Sequence, residues 1–304
     1  MQKIHTEKNK IVTESGDEIV FKGININSPC ILKYQENHDF LNDIKNIKEM
    51  GANAVRVPIC PAYFQSRADY CEEILDPIVY LCKELELYCL LDWHGQGNPI
   101  TGETRDPENR IEGYMKYDAR PEIAKHVANV LSEKYGKENH VLFEVVSSLY
   151  LGITDTQWMQ FSLEIISIIR KNSNNIVVAS APGWPQNLSV VLENEYIAEN
   201  VVFGIMVYPG TKNEDVIEKV KEKYPVVITE CGYESVQPKE DMMKATKESY
   251  AIPLKHFLEK QQFSWFAWCY HPVRQPVLLR SWNPEDLSEW GKYVKEELLQ
   301  FSNK

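Results

Sequence analysis

Glu230 is the side chain best placed to do chemistry. It closes the apolar run Tyr224-Pro225-Val226-Val227-Ile228-Thr229 and is followed by Cys231-Gly232. A carboxylate at the end of a buried run faces a cleft, where it can serve as a nucleophile or a base. A second run, His140-Val141-Leu142-Phe143-Glu144-Val145-Val146, ends in the small polar pair Ser147-Ser148, ahead of Leu149-Tyr150. Further runs end in Asn25, Arg56, His94, Ser180, Tyr208 and Trp268. Several of these types suit the surroundings of a sugar. Trp268 can stack on a pyranose face, Arg56 and His94 can hold carboxylates and hydroxyls, and Glu230 can attack an anomeric carbon.

The elements that must position these residues alternate along the chain. Eight apolar strand candidates lie at 19–25, 54–58, 88–93, 141–146, 176–180, 201–208, 226–230 and 264–268. They are apolar almost throughout, as parallel strands buried on both faces are. Between them run amphipathic stretches at 40–50, 74–85, 122–135, 156–171, 213–223 and 244–260. Eight such repeats are the count of a closed (β/α)8 barrel (a TIM barrel), whose sites form where strands end and loops begin. Residues 10–21 read as a hairpin turning at Glu14-Ser15-Gly16-Asp17, a plug for the barrel's floor, and 284–301 read as a closing helix. With no linker, longer repeat or low-complexity tract, one domain over 1–304 is expected.

Composition narrows the class. The chain is 43% apolar and 25% charged, ordinary for a globular protein. Its net charge of -11, with no basic face in the pattern, speaks against a nucleic-acid partner. No stretch reaches the ~20 apolar residues of a membrane helix, and no membrane partner is expected. The first eight residues lack the apolar core of a signal peptide. Seven scattered Cys read as reduced thiols, so a cytoplasmic location is expected for the sequence as written, and a secreted one if a signal has been removed.

In these motifs the chain resembles glycoside hydrolase family 5, the cellulase and mannanase barrels. The resemblance runs from Phe21-Lys22-Gly23 to Trp282-Asn283. The family's first key strand ends in Asn-Glu-Pro and its second in Thr-Glu-aromatic-Gly. The resemblance therefore implies that Glu230 is the nucleophile and that Ser148 stands at the acid/base position. It likewise matches Arg56 in Val55-Arg56-Val57-Pro58, His94 in Leu91-Asp92-Trp93-His94, and Tyr208 and Trp268 to substrate-binding positions. Three positions depart from the family pattern. Ser147 replaces Asn, Ser148 replaces Glu, and Met206, in Gly204-Ile205-Met206-Val207-Tyr208, replaces His.

The chemical consequence is direct. Retaining hydrolysis needs two carboxyl groups about 5–5.5 Å apart, one to attack and one to donate and then accept a proton. A serine hydroxyl is too weak an acid for that, and losing such help costs about 10²–10⁴ in rate. The implied function is a β-glycan hydrolase of glucan or cellulose type with weak or absent turnover, acting on an oligosaccharide or polysaccharide, as a monomer and without cofactor or metal. Two alternatives stay open. One is a non-catalytic carbohydrate-binding pseudoenzyme. The other is an engineered barrel whose emptied pocket hosts other chemistry, suggested by small or apolar residues (Ser147, Ser148, Met206 and Cys231) around one cavity.

Each residue also has a plainer reading. Glu230 can be a strand-end carboxylate kept for pairing with Arg56, Trp268 can be barrel packing, and His94 can be a hydrogen-bonded structural imidazole. Glu144 shares the strand parity of Ser148 but lies about 13 Å deeper, where it reads as a buried partner of Arg56. Glu103, Asp106, Asp118 and Glu234 are loop carboxylates that no pattern places. Ser147-Ser148 as a serine nucleophile lacks a Gly-x-Ser-x-Gly elbow. Cys30, Cys60, Cys231 and Cys269, even beside His94 or His271, lack the CxxC spacing of a metal site. The sequon Asn187-Leu188-Ser189 carries little weight in a chain with no secretion signal.

Overall fold

The computed structural model describes residues 1–304 apart from 96, 104–118, 146–151, 184–186, 195, 197, 212, 240 and 303–304. Strands β1 (Ile4–Glu7) and β2 (Lys10–Thr13) form an antiparallel hairpin. Strands β3 (Lys22–Ile26), β4 (Ala54–Ile59), β5 (Tyr88–Trp93), β6 (Val141–Val145), β7 (Val177–Ser180), β8 (Val201–Val207), β9 (Val226–Cys231) and β10 (Ser264–Tyr270) pair in chain order, and β10 closes on β3. Every barrel pairing is parallel. This is the expected (β/α)8 barrel.

Period-two alternation divides each strand between two cores. Inward residues at the strand beginnings, Ala54, Tyr88, Leu142, Val202, Val227 and Phe266, cluster with Ile4 and Ile11 of the hairpin. The hairpin therefore stoppers the N-terminal end of the barrel, leaving the other end open for chemistry. Outward residues such as Val55, Val57, Phe143 and Phe203 pack under the helices.

The helices follow from sequence spacing. Helix α1 (Phe40–Glu49) buries Phe40, Ile44 and Ile47, one face of a 3.6-residue repeat, and Asp39 caps it by accepting from the Leu41 N–H. Short α2 (Pro61–Ser66), α3 (Asp76–Glu84) and α4 (Pro121–Tyr135) follow β4 and β5. Helix α5 (Asp155–Arg170) opens with a Thr154–Gln157 capping box and buries Trp158, Phe161, Ile165, Ile166 and Ile169. The Trp158 indole N–H donates to the Ser180 carbonyl at 2.8 Å, pinning α5 to the end of β7. Helices α6 (Val190–Glu193), α7 (Glu214–Lys221), α8 (Ile252–Lys260) and α9 (Glu289–Ser302) complete the outer layer among the described residues.

Two details differ from the sequence expectation. The turn at 14–17 is present, with Thr13 and Asp17 bonded at 2.9 Å, but the hairpin proper is made one strand earlier, around Lys8-Asn9. That turn has Lys8 at a positive φ of 55° and neither Gly nor Pro to announce it. The stretches 74–85 and 244–260 each divide into a wide helical turn and then an α-helix. Pro77 and Pro253 stand in the first turns of α3 and α8, where a missing N–H is harmless.

Candidate active site

The same alternation that builds the floor delivers polar groups one step above it. Asn25 follows Gly23, Arg56 follows Ala54, Asp92 follows Leu90, Glu144 follows Leu142, and Ser180 follows Val178, each two residues further along its strand. All five are buried. Arg56 is fully enclosed, and three carboxylates surround its guanidinium. Its Nε and Nη2 form a fork on Glu144, Nη2 also lies 2.9 Å from Asp92, and Nη1 lies 2.9 Å from Glu230 Oε1. Nη1 also donates to Asn25 Oδ1 at 2.8 Å. Asn25 passes the connection on, donating to the carbonyls of Thr229 and Ala267 at 3.1 and 3.2 Å, so β3 is tied to β9 and β10.

One cation cannot neutralise three anions. Burial works against the Arg56 charge, but Asp92, Glu144 and Glu230 outweigh it and raise its pKa further. Glu144 takes up the imbalance. Burial pushes it up to about 7, Arg56 opposes and Asp92 reinforces. The Ser180 hydroxyl donates to the same carboxyl. Gly204 makes room for that contact, since a Cβ there would lie 2.6 Å from Ser180 Oγ.

Above this cluster lies the mouth. Glu230, at 6% exposure, accepts from Arg56 on Oε1 and from the Tyr208 hydroxyl on Oε2 at 2.8 Å. Burial first, and then Glu230 itself, hold the Tyr208 pKa well above 10, so the phenol stays a donor. His94 Nδ1 lies 2.7 Å from Asp92 Oδ2. Burial disfavours the imidazolium, yet Asp92 and Glu230 raise the His94 pKa overall. The His94 ring lies nearly parallel to Trp268, 14° between planes and 6.2 Å between centres. Met206 is in register with Glu230 across β8 and β9 and is buried at 4% exposure.

The structure thus gathers Arg56, His94, Met206, Tyr208, Glu230 and Trp268 around one end of the barrel. Ser147 and Ser148, with Asp106 and Asp118, lie outside the described residues. Glu144 is the buried partner of Arg56 that its strand position implied. Glu103 is exposed, and Glu234 Oε1 accepts from the Val236 N–H at 3.3 Å. Asp92 was not anticipated as the link between Arg56 and His94. Its signal was a lone charge in the otherwise apolar strand Tyr88–Trp93.

The thiols are of another kind. All seven Cys are buried. Burial lifts Cys231 and Cys269, the two nearest Glu230, far above the ordinary thiol range, and pushes Cys30 up to about 12 and Cys60 to about 11. They are neutral packing groups. Among the described residues no group of three or more His, Cys, Asp or Glu is placed to hold a metal ion.

A hairpin-stoppered parallel barrel with a carboxylate held by Arg and Tyr at its open end defines a (β/α)8 protein with a candidate active site at its mouth. Residues 12–273 match the family model for cellulase (glycosyl hydrolase family 5), and the chain belongs to that family. It is similar to an endoglucanase of Clostridium saccharobutylicum, at 21% identity over 95% of this chain and 63% of that protein. It is also similar to endoglucanase A of Butyrivibrio fibrisolvens, at 22% identity over 76% of this chain and 52% of that protein. The chain thus spans between half and two thirds of the length of these relatives. In fold it is similar to the β-glucanase SdGluc5_26A of Saccharophagus degradans, with TM-score 0.87 and 21% identity over 99% of this chain and 94% of that one. A β-mannanase from Thermomonospora fusca aligns with TM-score 0.70 and 18% identity over 97% and 94% of the two chains.

Proposed function

We propose that this barrel binds β-glucan-type oligosaccharides at its mouth and keeps the nucleophile of retaining hydrolysis in Glu230, with Ser148 standing where the acid/base belongs. The observation that carries the reading is Glu230 itself. It ends β9 with both carboxylate oxygens held by donors, at 2.9 Å from Arg56 and 2.8 Å from Tyr208, beside Trp268 and His94. Such a group is fixed in orientation and ready to attack an anomeric carbon. The endoglucanase relatives, and the cellotetraose complex of the Saccharophagus β-glucanase, support a glucan over a mannan.

No described carboxyl near Glu230 replaces the missing acid. Asp92 and Glu144 are fully or almost fully enclosed and already bonded to Arg56. With a serine at the acid/base position, a leaving oxygen there would depart unprotonated, and the water of the second step would attack without a base. Glycosides with poor leaving groups should turn over weakly or not at all, whereas aryl glycosides, whose leaving groups are stable anions, should still form the glycosyl-enzyme.

A second reading is a carbohydrate-binding barrel without turnover. It is favoured by the serine at the acid/base position, which cannot protonate a leaving group. Initial rates on β-glucans and on an activated aryl β-glucoside, with and without azide, separate the two. Turnover of the aryl glycoside that azide accelerates and Glu230→Ala abolishes supports the hydrolase reading. Binding of oligosaccharide with no turnover of either substrate supports the binding reading. Activity on neither and no sugar binding would overturn both and favour a barrel adapted to other chemistry.

A further inference from the structure

Two imidazole–carboxylate pairs lie on one side of the barrel mouth and take no part in the Arg56 cluster. The chain leaves β10 at His271, which is 2% exposed. Its Nε2 lies 2.9 Å from Glu36 Oε2. Its Nδ1 accepts from the backbone N–H groups of Val273 at 2.9 Å and Arg274 at 3.1 Å. Two donors aimed at Nδ1 leave no place there for a proton, so the ring is the neutral Nε2–H tautomer and donates to Glu36. The same segment carries Trp282. Its ring stacks on His38, 3.6 Å between centres and 20° between planes, and meets His271 nearly edge-on at 4.8 Å. His38 Nε2 in turn lies 2.8 Å from Asp43 Oδ1 in the first turn of α1. Trp282 is gripped between an imidazole from the segment before α1 and one from the end of β10.

We propose that Glu36, His38, Asp43, His271 and Trp282 form a proton-operated latch, which holds segment 271–288 against segment 36–43 while His271 is neutral and releases it on acidification. The device works through hydrogen-bond polarity. A proton on Nδ1 would point at two N–H groups, so the turn at 271–274 must open before His271 can take a charge. The surrounding groups act in the same direction. Burial lowers the His271 pKa below 6.5, Glu36 opposes, and Arg274 and His38 add to the lowering.

The sign of the effect follows from proton counting. With its pKa lowered in the closed form, His271 binds fewer protons closed than open, so the closed form loses ground as pH falls through about 6.5. Asp43 has the opposite sign. Burial pushes it up to about 6, with His38 opposing and Asp39 and Glu36 adding, so it favours the closed form only once pH falls below that value. Release therefore begins above pH ~6, where His271 acts alone. It reaches the mouth through the backbone. Cys269, next to Trp268, donates to the Pro276 carbonyl at 2.8 Å and accepts from the Leu278 N–H at 3.0 Å.

Trp282 provides its own probe. The emission of the full chain is followed from about pH 8 to about pH 5, and the same titration of Trp282→Phe is subtracted. Amide exchange of segment 271–288, corrected for its intrinsic pH dependence, is followed in parallel. The latch predicts a transition specific to Trp282 with a midpoint near pH 6 and a net loss of protection of about threefold in 271–288 by about pH 5, the effect of His271 being offset in part by Asp43. His271→Gln, which cannot titrate, should remove the loss of protection on acidification and leave only the tightening that Asp43 gives below about pH 6. Glu36→Gln keeps an acceptor but loses the charge that steadies the closed form. It should move the release to higher pH by about half a unit to one unit. A loss of protection on acidification that survives in His271→Gln, a midpoint unmoved in Glu36→Gln, or equal corrected protection across the pH range would overturn the proposal.

Discussion

Replacing Arg56 by Met tests the electrostatic heart of the barrel. The side chains are similar in length, so packing changes little, but every donor is lost. Arg56 is fully enclosed and bonds to Glu144, Asp92, Glu230 and Asn25. Removing one partner of a buried ion pair costs about 3–5 kcal/mol, and here three carboxylates lose the same cation, so a loss near 5 kcal/mol is expected at pH ~8. At roughly 2–4 °C per kcal/mol, the melting temperature should fall by about 10–20 °C. The loss must also depend on pH. Without Arg56 the buried carboxyls become harder to ionise, starting from a Glu144 already pushed up to about 7. A carboxyl with a raised pKa binds more protons folded than unfolded, so stability rises as pH falls. The penalty should therefore shrink markedly between about pH 8 and about pH 5.5. Urea denaturation followed by circular dichroism at both pH values measures it. A loss under about 1 kcal/mol, or an equal loss at both, would refute the reasoning.

Two further substitutions probe the neighbourhood. Gly204→Ala places a methyl 2.6 Å from Ser180 Oγ and should destabilise by about 1–3 kcal/mol, read by the same denaturation; a neutral result would mean that the Ser180–Glu144 contact is not tightly packed. Tyr208→Phe removes the donor 2.8 Å from Glu230 Oε2 and should cost about 1.5–3 kcal/mol; an unchanged urea midpoint would show that the bond contributes nothing.

The barrel was legible in the sequence because parallel strands buried on both faces must be apolar, and Tyr88–Trp93 was found to the residue. The pairing of Glu144 with a base such as Arg56 was legible for a related reason, since parity and depth put Glu144 inside the barrel, where a buried carboxyl needs a partner. Asp92 was harder, because nothing along the chain says that a charge in β5 meets the guanidinium of β4 and the imidazole of His94 at once. Asn25 was seen as a strand end, but its bonds to β9 and β10 depend on barrel closure across more than 200 residues of chain. The first hairpin turn was hidden because Lys8-Asn9 carries no Gly or Pro. The partnership of His38 and His271 around Trp282 joins the two ends of the barrel sequence, and local pattern holds no trace of it.

The central claim is that Glu230 remains a competent nucleophile and that Ser148 marks the missing proton donor. The triple variant Ser147→Asn, Ser148→Glu, Met206→His tests it most directly. The new carboxyl would protonate the leaving oxygen and then activate water, while the Asn and His would rebuild contacts to the sugar and the nucleophile. Initial rates on β-glucan should rise by about 10²–10⁴ over the unmodified chain, with the change at position 148 alone giving less than the combination. A triple variant that folds, binds oligosaccharide and hydrolyses no β-glycan above the rate of the unmodified chain would contradict the account.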